Sequence, residues 1–478
     1  MTTRKAIFSK PMQWTTDDII AATRGEHTGD TQPLSFDGIS IDSRKISSTD
    51  CFVAIRGDIH DGHRFCEDVI QKGVRGIVVE HSHIQHLPIA DWRHQGIVCI
   101  TVADTTRALG DMAAYHRKRL NVRVVAITGS NGKTTTRGMT SEVLQQRFRV
   151  LSTAGNLNNH IGLPLTLLNL SHHHECAVVE LGMNHSGEIE RLSAICQPDI
   201  GVITMIGAAH LENFSSQNDI TNAKAELFRH LRPNGIAILN LDDPRLEALA
   251  SGLSAPVIFF GVAKSAQIHA RHITSRGARV SFMLEIPGDT AAVTLSIAGT
   301  FMASNALAAA AVGYALGVSA AEIKAGLENF NPVTGRMNIV ETALGVHIVD
   351  DTYNANPASM AAAVQTLVEL KGAGRGMVIV GDMLELGKNS RRFHRDLGER
   401  IASAGMFALY ATGEFGPDVA AGAIGSGMDP EAVFVGNSDA ISSHIKERLQ
   451  KEDWVLIKGS HAMRMDKIAS DIIHWANP

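Results

Sequence analysis

The residues best suited to chemistry lie in the segment AITGSNGKTTT at positions 126–136. Its glycines allow backbone N–H groups to converge on an anion, and a helix that starts after the loop adds the positive end of its dipole. Gly132-Lys133-Thr134 therefore predicts a phosphate-binding loop, in which the lysine meets the β- and γ-phosphates of a nucleotide and the threonine hydroxyl binds Mg²⁺. The usual pattern has another glycine five residues before Gly132, where this chain has Ile127. A glycine-rich turn that begins a helix and carries an exposed lysine is the alternative.

Three polar residues downstream favour the phosphate-loop interpretation. Glu180 lies near the end of an apolar run, His210 follows the next such run, and Lys224 lies in a helical pattern close behind. The carboxyl ends of parallel strands meet at one edge of a sheet, where α/β folds present their ligands. A carboxylate is a usual Mg²⁺ ligand and a histidine a less usual one. The alternatives are a strand-end ion pair for Glu180, a buried core histidine for His210 and an exposed helix lysine for Lys224.

The elements that must position these residues are short apolar strands that alternate with helices. The runs are rich in valine and isoleucine, and helical patterns such as residues 134–148 lie between them. This alternation predicts a mainly parallel sheet that is covered on both faces. The predicted strands of this first set are residues 122–128, 176–183, 199–206 and 235–241.

A second set of strands begins after about residue 335 and predicts another α/β domain. The first 118 or so residues are less regular and end in a helical pattern at 105–120. We therefore predict three α/β domains, at residues 1–118, 119–334 and 335–478. The predicted strands of the second set are residues 345–351, 376–383, 407–413, 432–436 and 453–459.

Composition indicates a globular protein. The chain has 478 residues, of which 44% are hydrophobic and 19% charged, and its formal net charge is -5. This charge gives no footprint for nucleic acid, and no apolar stretch is long enough for a membrane span or a secretory signal. The five scattered cysteines predict reduced thiols in a cytoplasm. The histidine-rich segments 81–86 and 171–175 lack neighbouring carboxylates or cysteines at ligand spacing, so we expect solvated loop residues rather than a metal site.

Long stretches of the chain resemble the Mur ligases, which build the peptide stem of bacterial peptidoglycan. In that family the phosphate loop is this shorter form, which accounts for Ile127. The last three of the stretches below resemble the branch of the family that adds D-alanyl-D-alanine, and the motif DNPR of the preceding ligase is absent. The resembling stretches are residues 127–136, 153–168, 178–192, 206–228, 40–65, 349–360, 380–394 and 458–460.

The resemblance implies three α/β domains with separate tasks: an N-terminal domain for a uridine-diphosphate substrate, a central ATPase domain with a P-loop, and a C-terminal Rossmann-like domain. It also implies an ATP-dependent ligase that adds D-alanyl-D-alanine to UDP-N-acetylmuramoyl-tripeptide through an acyl phosphate. We expect ATP and two Mg²⁺ ions to be required, a monomer in the cytoplasm, and neither nucleic-acid binding nor membrane insertion. The ATP contacts are divided between two domains, so we also expect a hinge near residue 335 and closure that depends on ATP.

By the same resemblance, residue roles carry over position by position. The catalytic residues are Lys133, His210 and Lys224, and the lysine at the position of Lys224 is often carbamylated in the family. Metal ligands would be Thr134, Glu180, His210 and Lys224. ATP would contact Thr128, Gly129, Ser130, Asn131, Gly132, Lys133, Thr134, Thr135, Asn305, Arg336 and Asp351. Substrates would contact Ser43 and Arg44 at the UDP end, Asn158, and Tyr353, Asn354 and Asn356 at the dipeptide end.

Some of these roles have structural alternatives. Asp351 could cap a strand end, Asn356 could cap the helix that starts at Pro357, and Arg44 could form an ion pair within its own loop. The chain also departs from the family: Phe301 and Met302 stand where His-Asn is usual, and His461 replaces the arginine of KGSR. A sister ligase with another amino-acid substrate, and a non-catalytic nucleotide-binding scaffold, are the competing functions.

Overall fold

A computed structural model describes residues 12–28, 32–57, 59–208 and 211–478 of the chain. They form three α/β units, each built on its own sheet, as the alternation of strands and helices predicts. The predicted domain boundaries near 118 and 335 stay a prediction. They fall between the last helix of one unit and the first strand of the next.

The N-terminal unit contains a five-stranded sheet in the order β2-β7-β6-β5-β4 and a separate antiparallel pair, β1 with β3. Helix α1 begins with a capping box, in which Thr15 and Asp18 satisfy each other's backbone N–H groups. Two 3-10 helices span Gly62–Phe65 and His81–His86. The strands are β1 Trp14–Thr15, β2 Glu26–His27, β3 Ser35–Phe36, β4 Gly38–Ser40, β5 Asp50–Val53, β6 Gly76–Glu80 and β7 Val98–Val102, and the helices are α1 Thr16–Thr23, α2 Cys66–Gln71, α3 Ile89–His94 and α4 Thr105–Lys118.

The central unit contains a nine-stranded sheet in the order β16-β15-β14-β13-β12-β11-β8-β10-β9. The four predicted strands are confirmed as β8, β10, β11 and β12, and all pairs from β9 to β14 are parallel. The strands are β8 Arg123–Thr128, β9 Val150–Ser152, β10 Cys176–Glu180, β11 Ile200–Ile203, β12 Ile236–Asn240, β13 Val257–Gly261, β14 Ile268–Arg276, β15 Arg279–Ile286 and β16 Asp289–Leu295. The helices are α5 Lys133–Gln145, α6 Gly162–Leu168, α7 Glu188–Cys196, α8 Gln217–Ala225, α9 Pro244–Ala250, α10 Met302–Ala315 and α11 Ala320–Asn329, with a 3-10 helix at Glu226–His230.

The antiparallel strands β14 to β16 extend this sheet beyond the predicted parallel part. In β15, buried residues alternate with partly exposed ones, since one face of this strand is turned to solvent. This period-two pattern differs from the continuous apolar runs by which the parallel strands are recognised. The alanine-rich helix α10 is buried almost all round and packs beside α5, which brings Asn305 behind the phosphate loop.

The C-terminal unit contains a six-stranded sheet in the order β17-β18-β22-β19-β20-β21. The five predicted strands are confirmed as β18 to β22, which all run parallel, and β17 is an antiparallel edge. The strands are β17 Asn338–Glu341, β18 His347–Asp351, β19 Gly376–Val380, β20 Ala408–Ala411, β21 Val433–Val435 and β22 Trp454–Lys458. The helices are α12 Pro357–Lys371, α13 Ser390–Ser403, α14 Gly416–Gly425, α15 Ser438–Arg448 and α16 Met465–Trp475, with 3-10 helices at Gly387–Asn389, Pro430–Ala432 and His461–Met463.

All five cysteines are buried free thiols, in agreement with the prediction of reduced thiols. Burial raises the pKa of the Cys66 thiol to about 12, which leaves it protonated at neutral pH. Among the described residues, no helix is both long enough and apolar enough to cross a membrane.

Candidate active site

The predicted phosphate loop joins the end of β8 to the start of α5. Gly132 takes the helix N-cap position with a φ of 81°, and Gly129 has a φ of 150°. A Cβ on Gly132 would lie 2.3 Å from Asn305 Oδ1, and one on Gly129 would lie 1.9 Å from Thr204 Oγ1. Both positions therefore require glycine because of backbone conformation and space. The position where the usual pattern has another glycine, Ile127, lies inside strand β8 and is buried, so it is not part of the loop.

The loop is held in shape by the segment after β11. The Ser130 hydroxyl accepts a hydrogen bond from the Gly207 N–H at 2.9 Å, and the Thr204 hydroxyl donates to the Asn131 carbonyl at 2.5 Å. Thr128 is fully buried at the end of β8 and Thr135 is buried in the first turn of α5. A loop braced in this way presents its backbone N–H groups without having to reorganise, as an anion site requires.

Glu180 and the start of α5 form one polar cluster at the strand ends of the central sheet. The Thr134 hydroxyl donates to Glu180 Oε2 at 2.9 Å, and Asn158 Nδ2 donates to Glu180 Oε1 at 2.9 Å. Lys133 bends back and donates to the Gly129 carbonyl at 2.8 Å. Glu180 is only 2% exposed. A buried carboxylate beside a hydroxyl is an oxygen donor set that suits Mg²⁺, so Thr134 and Glu180 fit the predicted ion.

Two cations of the central domain, Lys133 and Arg137, interact with this carboxylate, and Arg336 of the C-terminal domain acts on both of them. Arg137 Nε lies 3.6 Å from Glu180 Oε2, and Arg137 also donates to the Thr153 carbonyl. Burial lowers the pKa of Lys133, Glu180 raises it again, and the charge of Arg336 lowers it further. Burial and the charge of Arg336 likewise lower the pKa of Arg137. Arg336 therefore repels both Lys133 and Arg137, and a bound polyphosphate would relieve that repulsion.

Lys224 is a buried lysine whose pKa is lowered by its surroundings. It is 2% exposed on α8, and burial followed by the charge of Lys133 lowers its pKa well below the ordinary value. Among the residues that the structure describes, no carboxylate raises that pKa. The alternative of an exposed helix lysine is therefore wrong. The prediction for His210 lies outside the described residues.

Asn305 reaches the back of the phosphate loop. Its Oδ1 accepts from the Thr136 hydroxyl at 3.3 Å, and its Nδ2 lies 3.5 Å from the sulfur of Met302. The departure from the family at Met302 thus places a buried thioether beside the amide, and Phe301 is 36% exposed. The adenine contact of Asn305 stays a prediction.

The C-terminal half of the site is built on the ends of β18 and β22, which pair in register with Asp351 opposite Lys458. Lys458 Nζ donates to Asp351 Oδ2 at 2.6 Å and to the Asn354 carbonyl at 2.8 Å. Asp351 Oδ1 accepts from the Met337 N–H at 3.1 Å. Sequence reasoning missed Lys458 as a site residue, although the motif KGS that contains it was recognised. It also missed Arg137, which directly follows the threonines of the loop.

Tyr353 lies between two cationic or titratable side chains. The Arg336 guanidinium lies 4.0 Å from the centroid of the Tyr353 ring, as in a cation–π pair. The ring of His461, which replaces the family's arginine, lies 5.5 Å from the same ring at 57°. Nε of Arg336 is buried and has no hydrogen-bond acceptor among the described residues. The predicted phosphate and dipeptide residues Arg336 and Tyr353 are therefore in direct contact.

Asn356 has two structural roles in this part of the site. It caps α12 by accepting from the Ser359 N–H at 3.0 Å. Its side-chain amide also pairs with that of Asn131: Asn131 Nδ2 donates to Asn356 Oδ1 at 3.1 Å, and Asn356 Nδ2 donates to Asn131 Oδ1 at 2.6 Å. The cap alternative is confirmed, and the C-terminal domain is joined directly to the phosphate loop.

The predicted UDP contacts lie on an exposed loop of the N-terminal domain. Arg44 forms a bidentate pair with Asp42, through Nε at 2.9 Å and Nη2 at 3.1 Å. This pair is the ion pair that the sequence left open as the alternative role of Arg44. The Ser43 carbonyl accepts a hydrogen bond from Lys72 at 2.6 Å. The structure does not bring Ser43 or Arg44 into contact with the phosphate loop, and their UDP role stays a prediction.

The histidine-rich segment 81–86 is not wholly solvated, because folding brings Asp61 and His63 to His83. His63 Nε2 accepts from the Glu80 N–H at 3.0 Å, so its proton is on Nδ1 and is donated to Asp61 at 2.7 Å. The rings of His63 and His83 are stacked 3.8 Å apart and 7° from parallel. One ion cannot lie in both ring planes, so the three residues form a hydrogen-bonded cluster rather than a metal site.

Comparison with known proteins agrees with this arrangement. Three family models match the chain: "Mur ligase family, catalytic domain" over residues 35–117, "Mur ligase middle domain" over 127–313, and "Mur ligase, glutamate ligase domain" over 335–461. The UDP-N-acetylmuramoyl-tripeptide–D-alanyl-D-alanine ligase of Bacillus subtilis is 33% identical over 437 residues, which cover 91% of this chain and 93% of that protein.

Two solved structures are similar over nearly the full length. MurF from Acinetobacter baumannii is 34% identical with a TM-score of 0.88, over 98% of this chain and 100% of that one. MurF from Thermotoga maritima in complex with ADP is 28% identical with a TM-score of 0.80, over 91% and 97% of the two chains. The chain therefore belongs to the Mur ligase family.

Proposed function

We propose that this chain is an ATP-dependent ligase that adds D-alanyl-D-alanine to UDP-N-acetylmuramoyl-tripeptide and forms the UDP-N-acetylmuramoyl-pentapeptide precursor of peptidoglycan. The observation that carries the proposal is that two groups of site residues, one in each of two domains and here called half-sites, lie next to each other. The phosphate loop and Glu180 of the central domain face Arg336 and Asp351 of the C-terminal domain, and the pair Asn131–Asn356 connects them. The relatives reported above have names or titles that identify this kind of ligase.

The reaction requires activation because a carboxylate resists attack by an amine. The terminal carboxylate of the tripeptide attacks the γ-phosphorus of ATP, an acyl phosphate forms, and ADP leaves. The free amine of D-alanyl-D-alanine then attacks the acyl carbon and inorganic phosphate leaves. Both steps bring anions together, so catalysis consists mostly of positioning and charge neutralisation.

The residues of the site supply that neutralisation. The phosphate loop, residues 128–135, would bind the phosphates through its backbone N–H groups, with Lys133 as a counter-charge. Arg336 would approach the same phosphates from the C-terminal domain. Bound Mg²⁺ would be held by Thr134 and Glu180 and would add positive charge between the two anions. Asn158 keeps Glu180 in place through its 2.9 Å hydrogen bond.

The substrates would occupy opposite ends of the site. Asp351 would accept hydrogen bonds from the ribose hydroxyls, while Tyr353 and Asn354 would contact D-alanyl-D-alanine. Ser43 and Arg44 would bind the uridine diphosphate. We place the domain limits at residues 1–118, 119–334 and 335–478, and we infer that the enzyme acts as a monomer in the cytoplasm.

We further propose that Lys224 is carbamylated. Its amine is buried, and burial lowers its pKa well below the ordinary value, which favours the neutral form that adds carbon dioxide. In that reaction a N–C bond forms and the nitrogen loses a proton, which gives an anion with two oxygens beside the positive charge of Lys133. Such a group could ligate Mg²⁺, whereas the ammonium form could not.

Carbon-13 NMR in labelled bicarbonate tests the modification. We expect one carbamate resonance in the wild-type protein, its loss in Lys224→Arg, and its retention in Lys264→Arg, which changes an exposed lysine of the same domain. A wild-type spectrum without the resonance at saturating bicarbonate would contradict carbamylation. The ligase proposal itself would stand, because it rests on the phosphate loop and the two half-sites.

One assay separates the proposed function from its competitors. Phosphate release is measured with ATP, Mg²⁺ and UDP-N-acetylmuramoyl-tripeptide, with D-alanyl-D-alanine or another amine. We expect release that depends on D-alanyl-D-alanine. Release only with a different amine would identify a sister ligase. No release with any amine would favour a non-catalytic scaffold, in which Thr134, Asn158 and Glu180 would serve nucleotide binding alone.

A further inference from the structure

Lys458 is a buried lysine that the phosphate chemistry does not use. It is 3% exposed at the last position of β22, where the parallel register places it opposite Asp351. Its ammonium group donates to two acceptors on the neighbouring segment, Asp351 Oδ2 at 2.6 Å and the Asn354 carbonyl at 2.8 Å. One side chain thus closes the turn between the proposed ribose residue and the proposed dipeptide residue.

The hydrogen bond from Lys458 leaves the Asp351 carboxylate with free acceptor positions. A carboxylate offers about four lone-pair positions, of which Lys458 and the Met337 N–H each take one. Two acceptor positions remain, which matches the two hydroxyls of a ribose. The carboxylate must be ionised and held in one rotamer for both positions to accept, and the lysine supplies the counter-charge and the anchor.

Among the charged groups around Asp351, Lys458 has the largest effect in lowering the pKa of its carboxyl group. Burial raises the pKa of Asp351, whereas Lys458 and, to a smaller extent, Arg336 lower it. Arg336 makes a cation–π contact with Tyr353 and has no hydrogen bond to Asp351 among the described residues. If Lys458 lost its charge, the buried carboxylate of Asp351 would keep the hydrogen bond from the Met337 N–H and the electrostatic effect of Arg336.

We propose that Lys458 is a positioning residue, which holds Asp351 ionised and oriented for the nucleotide and fixes the carbonyl of Asn354 on the dipeptide side. The inference rests on the proposed function, since it assumes that Asp351 binds the ribose. Lys458 would act through Asp351 and Asn354, because its ammonium group is hydrogen-bonded to both of them.

Nucleotide affinity as a function of pH tests this role. The dissociation constant of ADP with Mg²⁺ is measured by calorimetry from pH 6 to pH 9 for the wild type, Lys458→Met, Lys458→Arg and Asp351→Asn. Dividing each variant's dissociation constant by that of the wild type at the same pH cancels the effect of phosphate protonation, which is the same in both measurements. For Lys458→Met, we expect the ratio to rise as the pH falls, by up to about tenfold per unit below the raised pKa of Asp351. We expect no such slope for Lys458→Arg, which keeps the charge, or for Asp351→Asn, which cannot titrate.

The outcomes separate the inference from the proposed function. A Lys458→Met ratio that stays near one, or that does not change with pH, would overturn the role of Lys458. Unchanged affinity in Asp351→Asn would instead overturn the ribose contact and leave the ligase activity to its own assay. If Lys458→Met does not fold, Lys458→Gln is titrated in its place, because its amide retains a donor without the charge and the same slope is expected.

Discussion

At the scale of single residues, the site depends on charges that are buried and only partly balanced. Lys133 and Arg137 both interact with the carboxylate of Glu180, and the charge of Arg336 acts on both of them. Burying such a set has a cost that a bound polyphosphate would offset, as the proposed function requires. The buried Lys224 belongs to the same group because the charge of Lys133 lowers its pKa.

Lys133→Ala should abolish turnover and leave the fold intact. The change removes the counter-charge for the transferred phosphoryl group, and we expect turnover to fall by at least about 100-fold. Phosphate release gives the rate, and circular dichroism melting reports the fold. Lys264→Ala removes an exposed lysine of the same domain and serves as the control. A near-normal rate in Lys133→Ala would remove the phosphate-loop assignment.

At the scale of elements, two helix starts meet at the site. Helix α5 begins at Gly132 in a left-handed conformation, and α12 begins at Asn356, whose amide pairs with Asn131 of the loop. The positive ends of both helix dipoles are thereby directed toward the same region, which favours an anion. The contact also means that the shape of the loop and the position of the C-terminal domain are coupled.

Gly132→Ala should damage nucleotide binding more than stability. The left-handed conformation costs a residue with a Cβ about 1–2 kcal/mol, and the added atom would displace Asn305. Gly277→Ala is a matched control, because Gly277 has a φ of 54° with no atom within 4 Å of the added Cβ. We expect loss of ADP binding by calorimetry only in Gly132→Ala. Equal affinities for the two variants would contradict the proposed role of the loop.

Asn356→Ser should separate the cap from the contact between the domains. Serine caps a helix about as well as asparagine, whereas alanine loses about 1 kcal/mol. The serine side chain is too short to pair with Asn131, so we expect wild-type stability in urea but a raised KM for ATP. Asn356→Ala should show both losses. If Asn356→Ser keeps a wild-type KM, the pair of amides does not contribute to the nucleotide site.

At the scale of the whole molecule, the proposed active site combines residues of two domains that are in contact. Besides the Asn131–Asn356 pair, the Glu212 N–H donates to the Glu385 carbonyl at 3.0 Å across the same boundary. Apolar side chains of the two domains also share one buried cluster, which includes Met302 and Leu307 of the central domain and Met360 and Leu367 of the C-terminal domain.

Closure that depends on ligands should be visible by small-angle scattering. We expect the radius of gyration to fall when a non-hydrolysable ATP analogue and UDP-N-acetylmuramoyl-tripeptide are both bound, with a hinge near residue 335. Asn356→Ser should compact less than the wild type at the same ligand occupancy. An unchanged radius in the wild type would count against the hinge.

The sequence by itself determined the parallel sheets, the phosphate loop and the family. Strands such as β8 and β22 are continuous apolar runs, and Gly132-Lys133-Thr134 is a local pattern whose chemistry depends on adjacent residues. Because these signals are short-range, they are visible without the fold. The half-exposed strands β14 to β16 lack such a signal, and they were found only in the structure.

Only the tertiary structure decided how distant residues share their charges. Lys458 lies 107 positions from Asp351, and Asn131 lies 225 positions from Asn356, yet both pairs are hydrogen-bonded. The same is true of His83, which folding brings to Asp61 and His63. No local pattern specifies such partners, because the register of parallel strands and the docking of domains set them. The burial that shifts the pKa of Lys224 also exists only after the chain has packed around it.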